Sequence, residues 1–322
     1  MITNHLVANI TSKNALEVDH EAERRKMKNK VRLARKQGNI NKLEEIRSRL
    51  SEQEKRTNTA NQEVGSYNWL TVLPLSEQHY YLNKEEFRDA LRLRYNWNIP
   101  RLPATCACNL KFSVDHALSC KKGGFITLRH NEIRDITASV LNEVCKDVEL
   151  EPLLIPLNGE TFKNKSSIKG DEARLDISAN GFWIRGQKAF LDIRVFNHNA
   201  LRYSNQTLKK CYTINEEEKK RHYNERVLEV ENGSFTPLVF SANGGMGRQC
   251  KLFYQRLSDM VAEKKELDNA SVTSWLRTKI NFSLLRSMIL CIRGSRSLKK
   301  KELDMADLDT SLINTISRIN SV

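Results

Sequence analysis

Apolar residues recur along the middle of this chain with two different periods, which predict strands packed against helices. Between residues 130 and 241 the predicted elements are, in order, helix, strand, strand, strand, helix, strand. Segments 173–177, 189–196 and 235–241 are short apolar runs bounded by turn residues, as strands are. Asn180-Gly181 predicts a hairpin turn between the first two of these runs. The order predicts an α+β fold that is α/β-like in its alternation.

The same patterns predict the remaining elements around this core. A short strand is predicted over 151–157, a helix opening at Arg129, and a highly charged helix over about 215–230. A further helix is predicted over 84–95, with Asn83 as its cap. Its apolar stripe recurs every four residues and is predicted to face inward: Phe87, Leu91 and Tyr95.

Shifts in composition divide the chain into four predicted parts. They are a basic, helical and partly disordered N-terminal arm (1–64), a small helical segment (65–125), the core (126–250), and C-terminal helices with a charged tail (251–322). Gly38-Asn39 predicts a break of the arm into two short helices. A polar loop is predicted over 158–170, and the last part contains helices over about 250–267 and 271–292.

The charge of the chain indicates a polyanionic partner. Lys and Arg number 53 against 39 Asp and Glu, a formal net charge of +14. Each phosphate that a basic chain neutralises releases counterions from the nucleic acid and strengthens binding, so DNA or RNA is the expected partner. No apolar run could span a membrane and no secretory signal opens the sequence. We therefore expect an intracellular protein, nuclear or cytoplasmic, that is not secreted and has no membrane partner; the oligomeric state stays open.

Three of the seven cysteines cluster with a histidine. Cys106, Cys108, His116 and Cys120 follow one another with one, seven and three intervening residues. Three thiolates and one imidazole complete a tetrahedral Zn²⁺ site. We predict a structural zinc knuckle, and the alternative is a chance group of buried cysteines.

Two of the predicted strands each contain one carboxylate. Asp176 and Asp192 lie in apolar runs, where a charge is costly unless it is paired or holds a metal. On neighbouring strands they could hold one or two Mg²⁺ (or Mn²⁺) ions, which would stabilise the charge that develops in phosphodiester hydrolysis. Arg194 lies on the same strand face as Asp192, because strand side chains alternate, and joins the candidate catalytic set. The alternative is that the aspartates are turn or cap residues at strand ends, and that Asp192 and Arg194 form a surface salt bridge.

A glycine-rich turn precedes the next predicted helix, with Gly244, Gly245 and Gly247 close together. Its amides could form an anion-binding nest at the start of a helix. The turn lacks the Gly-Lys-Ser/Thr ending of a P-loop. A tight connection from strand to helix is the favoured interpretation.

Taken in order, these motifs resemble a known domain. The stretch from Cys106 to about residue 241 resembles the PD-(D/E)xK restriction-like endonuclease domain found behind the reverse transcriptase of site-specific non-long-terminal-repeat retrotransposons. That family places a Cys-Cys-His-Cys knuckle, an Arg-His-Asn-like helix start, a Pro-Asp strand and a second Asp strand in this order. The resemblance covers somewhat under half the chain. It implies an Mg²⁺-dependent DNA endonuclease of retrotransposon origin, with the RNA of the element as an alternative partner.

The resemblance also implies a catalytic lysine on the helix that follows the second aspartate strand. In that family the lysine often lies in a Lys-rich turn before a tyrosine, and here Lys219 and Lys220 stand four and three residues before Tyr223. We favour Lys220 over Lys219. Arg194 stands where a strand lysine is expected; it cannot act as a base, because it stays protonated, but it can hold a phosphate.

Other hypotheses remain open. Leu175 replaces the proline of the family, which together with Arg194 motivates a catalytically inactive, zinc-containing nucleic-acid-binding protein of transposon origin. A helical interaction protein assembled through 21–57 and 271–292 is a third hypothesis. No Tyr-x-Asp-Asp segment of a reverse-transcriptase palm is found, so we interpret the chain as the terminal part of a polyprotein or as a copy expressed alone. Weaker site candidates lie on the first helix of the core: His130, Asn131 and Glu143.

Overall fold

The structure is a computed structural model that describes residues 2–155 and 174–294, with side chains from His20 onward. The chain forms two compact units, which divide between Lys55 and Arg56. The predicted polar loop over 158–170 and the predicted charged tail beyond residue 294 lie outside the described residues.

The first unit is one long helix and the beginning of a second. α1 (Ile2–Arg49) runs without a break, and α2 (Glu52–Asn61) follows it closely. The predicted break at Gly38-Asn39 is therefore wrong. A glycine inside a helix costs only about 1 kcal/mol relative to alanine, and the Lys, Arg and Glu residues around it are good helix formers. Ion pairs across one turn add support, as between Arg25 and Glu21 (2.7 Å).

α4 (Lys84–Tyr95) begins and ends where the sequence predicts. Asn83 caps it: its side chain accepts from the amide of Glu86 (2.9 Å), and the Glu86 carboxylate accepts from the amide of Asn83 (2.9 Å). The predicted inward stripe is wrong at two of its three positions, because Phe87 is 42% and Tyr95 53% exposed, whereas Leu91 packs against a buried apolar cluster.

An ion pair decides which face of α4 is buried. Asp89 lies beside the buried Ala90 and accepts two hydrogen bonds, of 2.6 and 2.8 Å, from Arg293 at the end of α9 (Asn269–Arg293). A bidentate pair of this kind is strong and directional. It turns the Asp89 side of α4 toward α9 and leaves the aromatic rings nearer the surface.

The other helices follow their predicted stripes, with changes at their ends. α6 (Phe125–Val144) begins four residues before 129, since Gly124 adopts a left-handed conformation (φ 73°) that turns the chain into the helix. α7 (Leu208–Glu229) begins seven residues before 215 and is capped by Thr207. α8 (Arg248–Lys265) and α9 lie within two residues of prediction. Two helices of four residues each are α3 (Asn68–Thr71) and α5 (Val114–Ala117). Among the described residues, no helix is long and apolar enough to span a membrane.

One mixed sheet contains four strands: β1 (Lys146–Leu150), β2 (Ile177–Asn180), β3 (Lys188–Phe196) and β4 (Ser234–Ser241). They stand in chain order, with β1–β2 and β2–β3 antiparallel and β3–β4 parallel. α7 connects the two parallel strands. The fold class is therefore α+β, and the order helix, strand, strand, strand, helix, strand is found along the chain.

β1 lies before the segment predicted for it, so the prediction over 151–157 is wrong. Glu151 adopts a left-handed conformation (φ 50°), and Pro152 has no amide proton to donate to a neighbouring strand. The only pairing in the described part of that segment is an isolated bridge between Leu153 and Arg174.

β2 begins where the predicted strand over 173–177 ends. Two of its later residues, Ser178 and Asn180, are polar and interrupt the apolar pattern; the Ser178 hydroxyl donates to Glu149 of β1 (3.1 Å). The hairpin turn at Asn180-Gly181 is confirmed, with Gly181 at φ 81° and a loop that extends to β3. The predictions for β3 and β4 are correct to within one residue.

Helices cover both faces of the sheet. α6, α8 and α9 pack on one face, against residues such as Leu191 of β3. α7 covers the other face, where Phe190 packs with Val227. Because side chains alternate along a strand, Asp192 and Arg194 lie on the α7 side together with Phe190.

Candidate functional site

Asp192 lies in the middle of β3, which pairs with β2 on one side and β4 on the other. It is 5% exposed, and the Nζ atom of Lys219 lies 2.6 Å from its Oδ2 atom. Burial raises the pKa of Asp192 to about 7; Lys219 opposes this rise, and the charge of Asp176 adds to it. A carboxylate that ionises with such difficulty beside another carboxylate is stabilised by a nearby cation.

Asp176 directly precedes β2, and the backbone of β3 holds its side chain. Its Oδ2 atom accepts from the amide of Ile193 (2.5 Å), and Nε2 of His130 lies 3.0 Å from the same oxygen. Burial alone would raise the pKa of this carboxyl, but His130, the Ile193 amide and Lys219 outweigh burial, so the pKa is lowered. Because Ile193 follows Asp192 in β3, this bond brings the two carboxylates together.

His130 and Asn131, near the start of α6, belong to this site. Nδ1 of His130 lies 3.3 Å from Oδ1 of Asn131, so the imidazole is held between an amide and the Asp176 carboxylate. Burial lowers the pKa of His130, but Asp176 outweighs burial and the pKa is raised. Glu143 is a wrong candidate, because it lies thirteen residues further along α6, a rise of about 20 Å, and pairs with Lys265.

Lys219, rather than Lys220, stands beside the carboxylates. Consecutive residues of a helix point about 100° apart. The charge of Lys220 therefore falls near Glu216, where it opposes the rise in the pKa of Glu216 that burial causes. The preference for Lys220 over Lys219 in the sequence analysis is therefore wrong. Burial lowers the pKa of Lys219, but the charge of Asp192 outweighs burial and the pKa is raised. Tyr223 follows one turn later, with its ring centroid 5.8 Å from Nζ of Lys219.

Arg194 pairs with Glu218 of α7, at 3.1 Å between Nη1 and Oε2. The same oxygen lies 3.0 Å from Nη2 of Arg202. Since Glu218 immediately precedes Lys219, two guanidinium groups stand at the edge of the carboxylate site. Burial would raise the pKa of Glu218, but the two arginines outweigh it and the pKa is lowered.

The four predicted zinc ligands come together in one group. Their ligand atoms all lie within 4.8 Å of one another: the sulfurs of Cys106 and Cys120 are 3.8 Å apart, and the Cys108 sulfur lies 3.3 Å from Nε2 of His116. Tetrahedral zinc with Zn–S bonds of about 2.3 Å places sulfurs about 3.8 Å apart. Burial opposes ionisation of Cys106, but bonds from Cys108 and His116 outweigh it and lower the pKa to about 6. The group can hold a metal ion such as zinc.

Local backbone bonds place these ligands. The amide of Asn109 donates to the carbonyl of Cys106 (2.8 Å), which closes the turn between the first two cysteines. Ser113 caps α5 by accepting from the amide of His116 (3.1 Å), and the amide of Cys120 donates to the carbonyl of His116 (2.8 Å). Each bond spans only a few residues, which is why sequence spacing alone could predict the group.

Polar contacts join this group to the end of β3. Nδ2 of Asn197 donates to Oδ1 of Asp115 on α5 (3.1 Å). Nη2 of the buried Arg129 donates to the carbonyls of Leu118 (3.3 Å) and Val195 (3.4 Å). The metal-ligand loop is therefore attached to the strand that carries the buried aspartate.

The glycine-rich turn before α8 is lined by the chain's own carboxylates. Oε1 of Glu216 accepts from the amide of Gln249 in the first turn of α8 (3.0 Å), and Oε2 of Glu63 accepts from the Tyr212 hydroxyl (2.6 Å). A Cβ atom at Gly245 would lie 1.8 Å from Oε2 of Glu63, so a side chain at this position would displace the Glu63 carboxylate. The tight-turn interpretation is confirmed, and the start of the helix already holds an internal anion.

Sequence reasoning underrated several side chains around the aspartates. His130 was only a weaker candidate. The polar run Arg129-His130-Asn131 at the predicted start of an otherwise apolar helix could have indicated a functional site. Glu218 and Arg202 were not predicted as parts of the site. Arg202 lies in a short 3-10 turn, Leu201–Tyr203. The pattern of apolar residues did not predict that this turn would bring Arg202 close to α7.

A search of protein-family models finds no match to this chain, and a search of curated proteins finds none either.

Proposed function

We propose that this protein is a metal-dependent DNA endonuclease with a PD-(D/E)xK-like core, derived from the polyprotein of a site-specific non-long-terminal-repeat retrotransposon. The observation that carries the proposal is the convergence of Asp176, Asp192 and Lys219 from three separate elements of a mixed sheet-and-helix core. The order of those elements and the upstream Cys₃His group agree with it.

The donor set suits a hard divalent cation. Carboxylate oxygens are the preferred protein ligands of Mg²⁺ and Mn²⁺. Oδ2 of Asp192 is buried, and burial, with the charge of Asp176 adding to it, raises the pKa of Asp192 to about 7. In this proposal Asp176 and Asp192 hold the cation, which supplies Lewis-acid stabilisation of the charge that develops on the phosphoryl group.

The surrounding side chains have separate parts in the proposal. Lys219, whose pKa is raised, stays protonated at neutral pH and donates a hydrogen bond to a phosphate oxygen. His130 keeps the Asp176 carboxylate in one orientation. Arg194 and Arg202, which share Glu218, bind the neighbouring phosphates of the substrate backbone.

Plasmid nicking by the purified chain tests the proposal. With Mg²⁺ or Mn²⁺ we expect the wild type to nick supercoiled DNA, and Asp192→Asn to lower the rate by a factor of about 10³. Asp147→Asn is the matched control, because Asp147 is an exposed carboxylate of β1 that accepts a bond from Asn180 (2.9 Å). Equal nicking by Asp192→Asn and the wild type, or none by the wild type with either metal, would contradict the proposal.

A non-catalytic, zinc-containing nucleic-acid-binding protein is the second candidate. The ion pair between Lys219 and Asp192 favours it, because it compensates the buried carboxylate without a metal. This candidate predicts salt-sensitive binding of DNA or RNA that persists in Asp176→Asn while the wild type cleaves neither. Absence of binding at low salt would eliminate it.

A further inference from the structure

A long run of positive charge without an acidic residue lies on α1, between Glu23 and Glu44. Residues 24–43 carry nine Lys and Arg residues and no acidic residue, and every side chain from His20 to Arg49 is exposed. Solvated helices usually place opposite charges three or four residues apart. Acidic residues stand at that spacing only near the two ends of the segment, as where Arg25 pairs with Glu21. The five cations from Lys28 to Lys36 have no acidic residue three or four positions away.

The cations are concentrated on one side of the helix. Arg24, Lys28, Arg32 and Lys36 form a row in which each follows the last by four residues, and the row covers about 120° of the circumference. Arg35 falls within the same arc. We call these five residues the basic face. Neighbours in the row rise about 6 Å, so the row extends about 18 Å along the helix.

Like charges four residues apart destabilise a helix. The row of the basic face contains three such pairs in succession. Glu21 stands three residues before Arg24, but from Lys28 to Lys36 no acidic residue three or four positions away relieves the repulsion. A ligand that relieves this repulsion must itself present a line of negative charge. The sugar-phosphate backbone does so, with about one charge per 3.4 Å of each strand, and a duplex groove is wide enough for a helix.

An anionic membrane is the other extended polyanion, and the opposite side of α1 disfavours it. Helices that lie on membranes need a continuous apolar face. Here Lys26 and Lys30 lie on that opposite side, among Met27 and Leu33. The basic face therefore fits a nucleic acid better than a lipid surface.

We propose that the basic face of α1 is a phosphate-binding surface for nucleic acid, which contacts the backbone and not the base edges. This phosphate-binding surface rests on the proposed function only in the choice of nucleic acid as the polyanion. It is independent of catalysis at Asp192. The contact is electrostatic, so it contributes affinity and salt dependence with little sequence preference.

Two double variants of the full chain test this surface. Lys28→Gln/Arg32→Gln removes two charges from the basic face, and Lys26→Gln/Lys30→Gln removes two charges from the opposite side of the same segment. Both variants have the same net charge and similar helix propensity. Fluorescence anisotropy measures the binding of a short duplex, and circular dichroism checks that both remain helical.

We expect the slope of log affinity against log salt to fall by about two for the basic-face variant and to stay unchanged for its control. At a salt concentration of about 150 mM the affinity of the basic-face variant falls about tenfold. Equal slopes for the two variants would overturn the proposal. Binding to anionic vesicles with none to duplex would also overturn it, in favour of a membrane surface.

The same measurements separate this proposal from the endonuclease. If the wild type binds DNA with a slope that depends on the basic face but never nicks it, the endonuclease fails and the surface stands. If the wild type nicks DNA and both variants bind alike, the surface fails and the endonuclease stands.

Discussion

The two candidate metal sites of the second unit differ in how their charges are compensated. At the carboxylate site the chain supplies its own partners: Lys219 lies 2.6 Å from Asp192, and an amide of β3 lies 2.5 Å from Asp176. In the Cys₃His group the short contacts, 3.3 and 3.8 Å, are between the ligands themselves. We therefore expect the carboxylate site to keep its shape without a metal and the Cys₃His group to depend on one.

The surroundings of the two sites reinforce this difference. The carboxylates lie against the central strand of a sheet with helices on both faces. The Cys₃His group shares only a small apolar cluster with residues such as Ile99 and Phe112. A cluster of that size cannot offset the chain entropy of a loop-rich segment without a further constraint.

Removal of zinc from the Cys₃His group should have the largest effect. Structural zinc contributes about 10 kcal/mol or more to small sites, so we expect about one zinc per chain and local unfolding on its loss. Cys108→Ser should lose the metal and become sensitive to protease between residues 100 and 124, as measured by metal analysis and limited proteolysis. Cys145→Ser, which lies outside the group, is the control. Metal-free protein with an unchanged cleavage pattern would contradict the dependence on zinc.

Loss of the Lys219 ammonium should have the next largest effect. Lys219→Met leaves Asp192 buried without its partner, which costs about 3 kcal/mol of unfolding free energy. Lys220→Met changes the neighbouring residue, which does not pair with Asp192, and should cost less than about 0.5 kcal/mol. Denaturant unfolding at neutral pH measures both. Equal losses would show that this ion pair does not hold the carboxylate site together.

At His198 the chain does the opposite of what it does at Asp192, because it places a like charge, Arg56, near a buried group that can become cationic. It follows β3, is 4% exposed, and neither ring nitrogen bonds to a described residue. Burial, and then the charge of Arg56, lower the pKa of His198 from 6.5 to about 4. Between these values the unfolded chain binds the proton and the folded chain does not, so stability falls as the pH falls from 6.5 toward 4 and is fully present above 6.5.

Unfolding at two pH values measures this contribution. From about pH 7 to about pH 4 we expect the wild type to lose between about 2 and 3 kcal/mol more than His198→Asn. Taking the difference between the two proteins removes the contribution of the carboxylates, which titrate in both. Parallel loss of stability in the two proteins would show that His198 is not buried in its neutral form.

Elements with local signals were predicted well. The capping box of Asn83 set the start of α4, the apolar runs set β3 and β4, and periodicity set α8 and α9. Elements whose limits depend on neighbours were predicted poorly. Half of β2 is polar, and these side chains bond across to β1. The buried face of α4 is decided by Arg293, which is 204 residues distant from Asp89.

Features that span a few residues follow from the amino-acid sequence alone: the spacing of the four candidate metal ligands, within fifteen positions, and the shared strand face of Asp192 and Arg194. Turns and strand alternation are local, so no distant contact was needed to predict them. Only the tertiary structure brought His130 to Asp176 across 46 positions and chose Lys219 over its neighbour. One residue along a helix turns a side chain by about 100°, so the packing of α7 on the sheet, and not composition, decides which lysine reaches the aspartates.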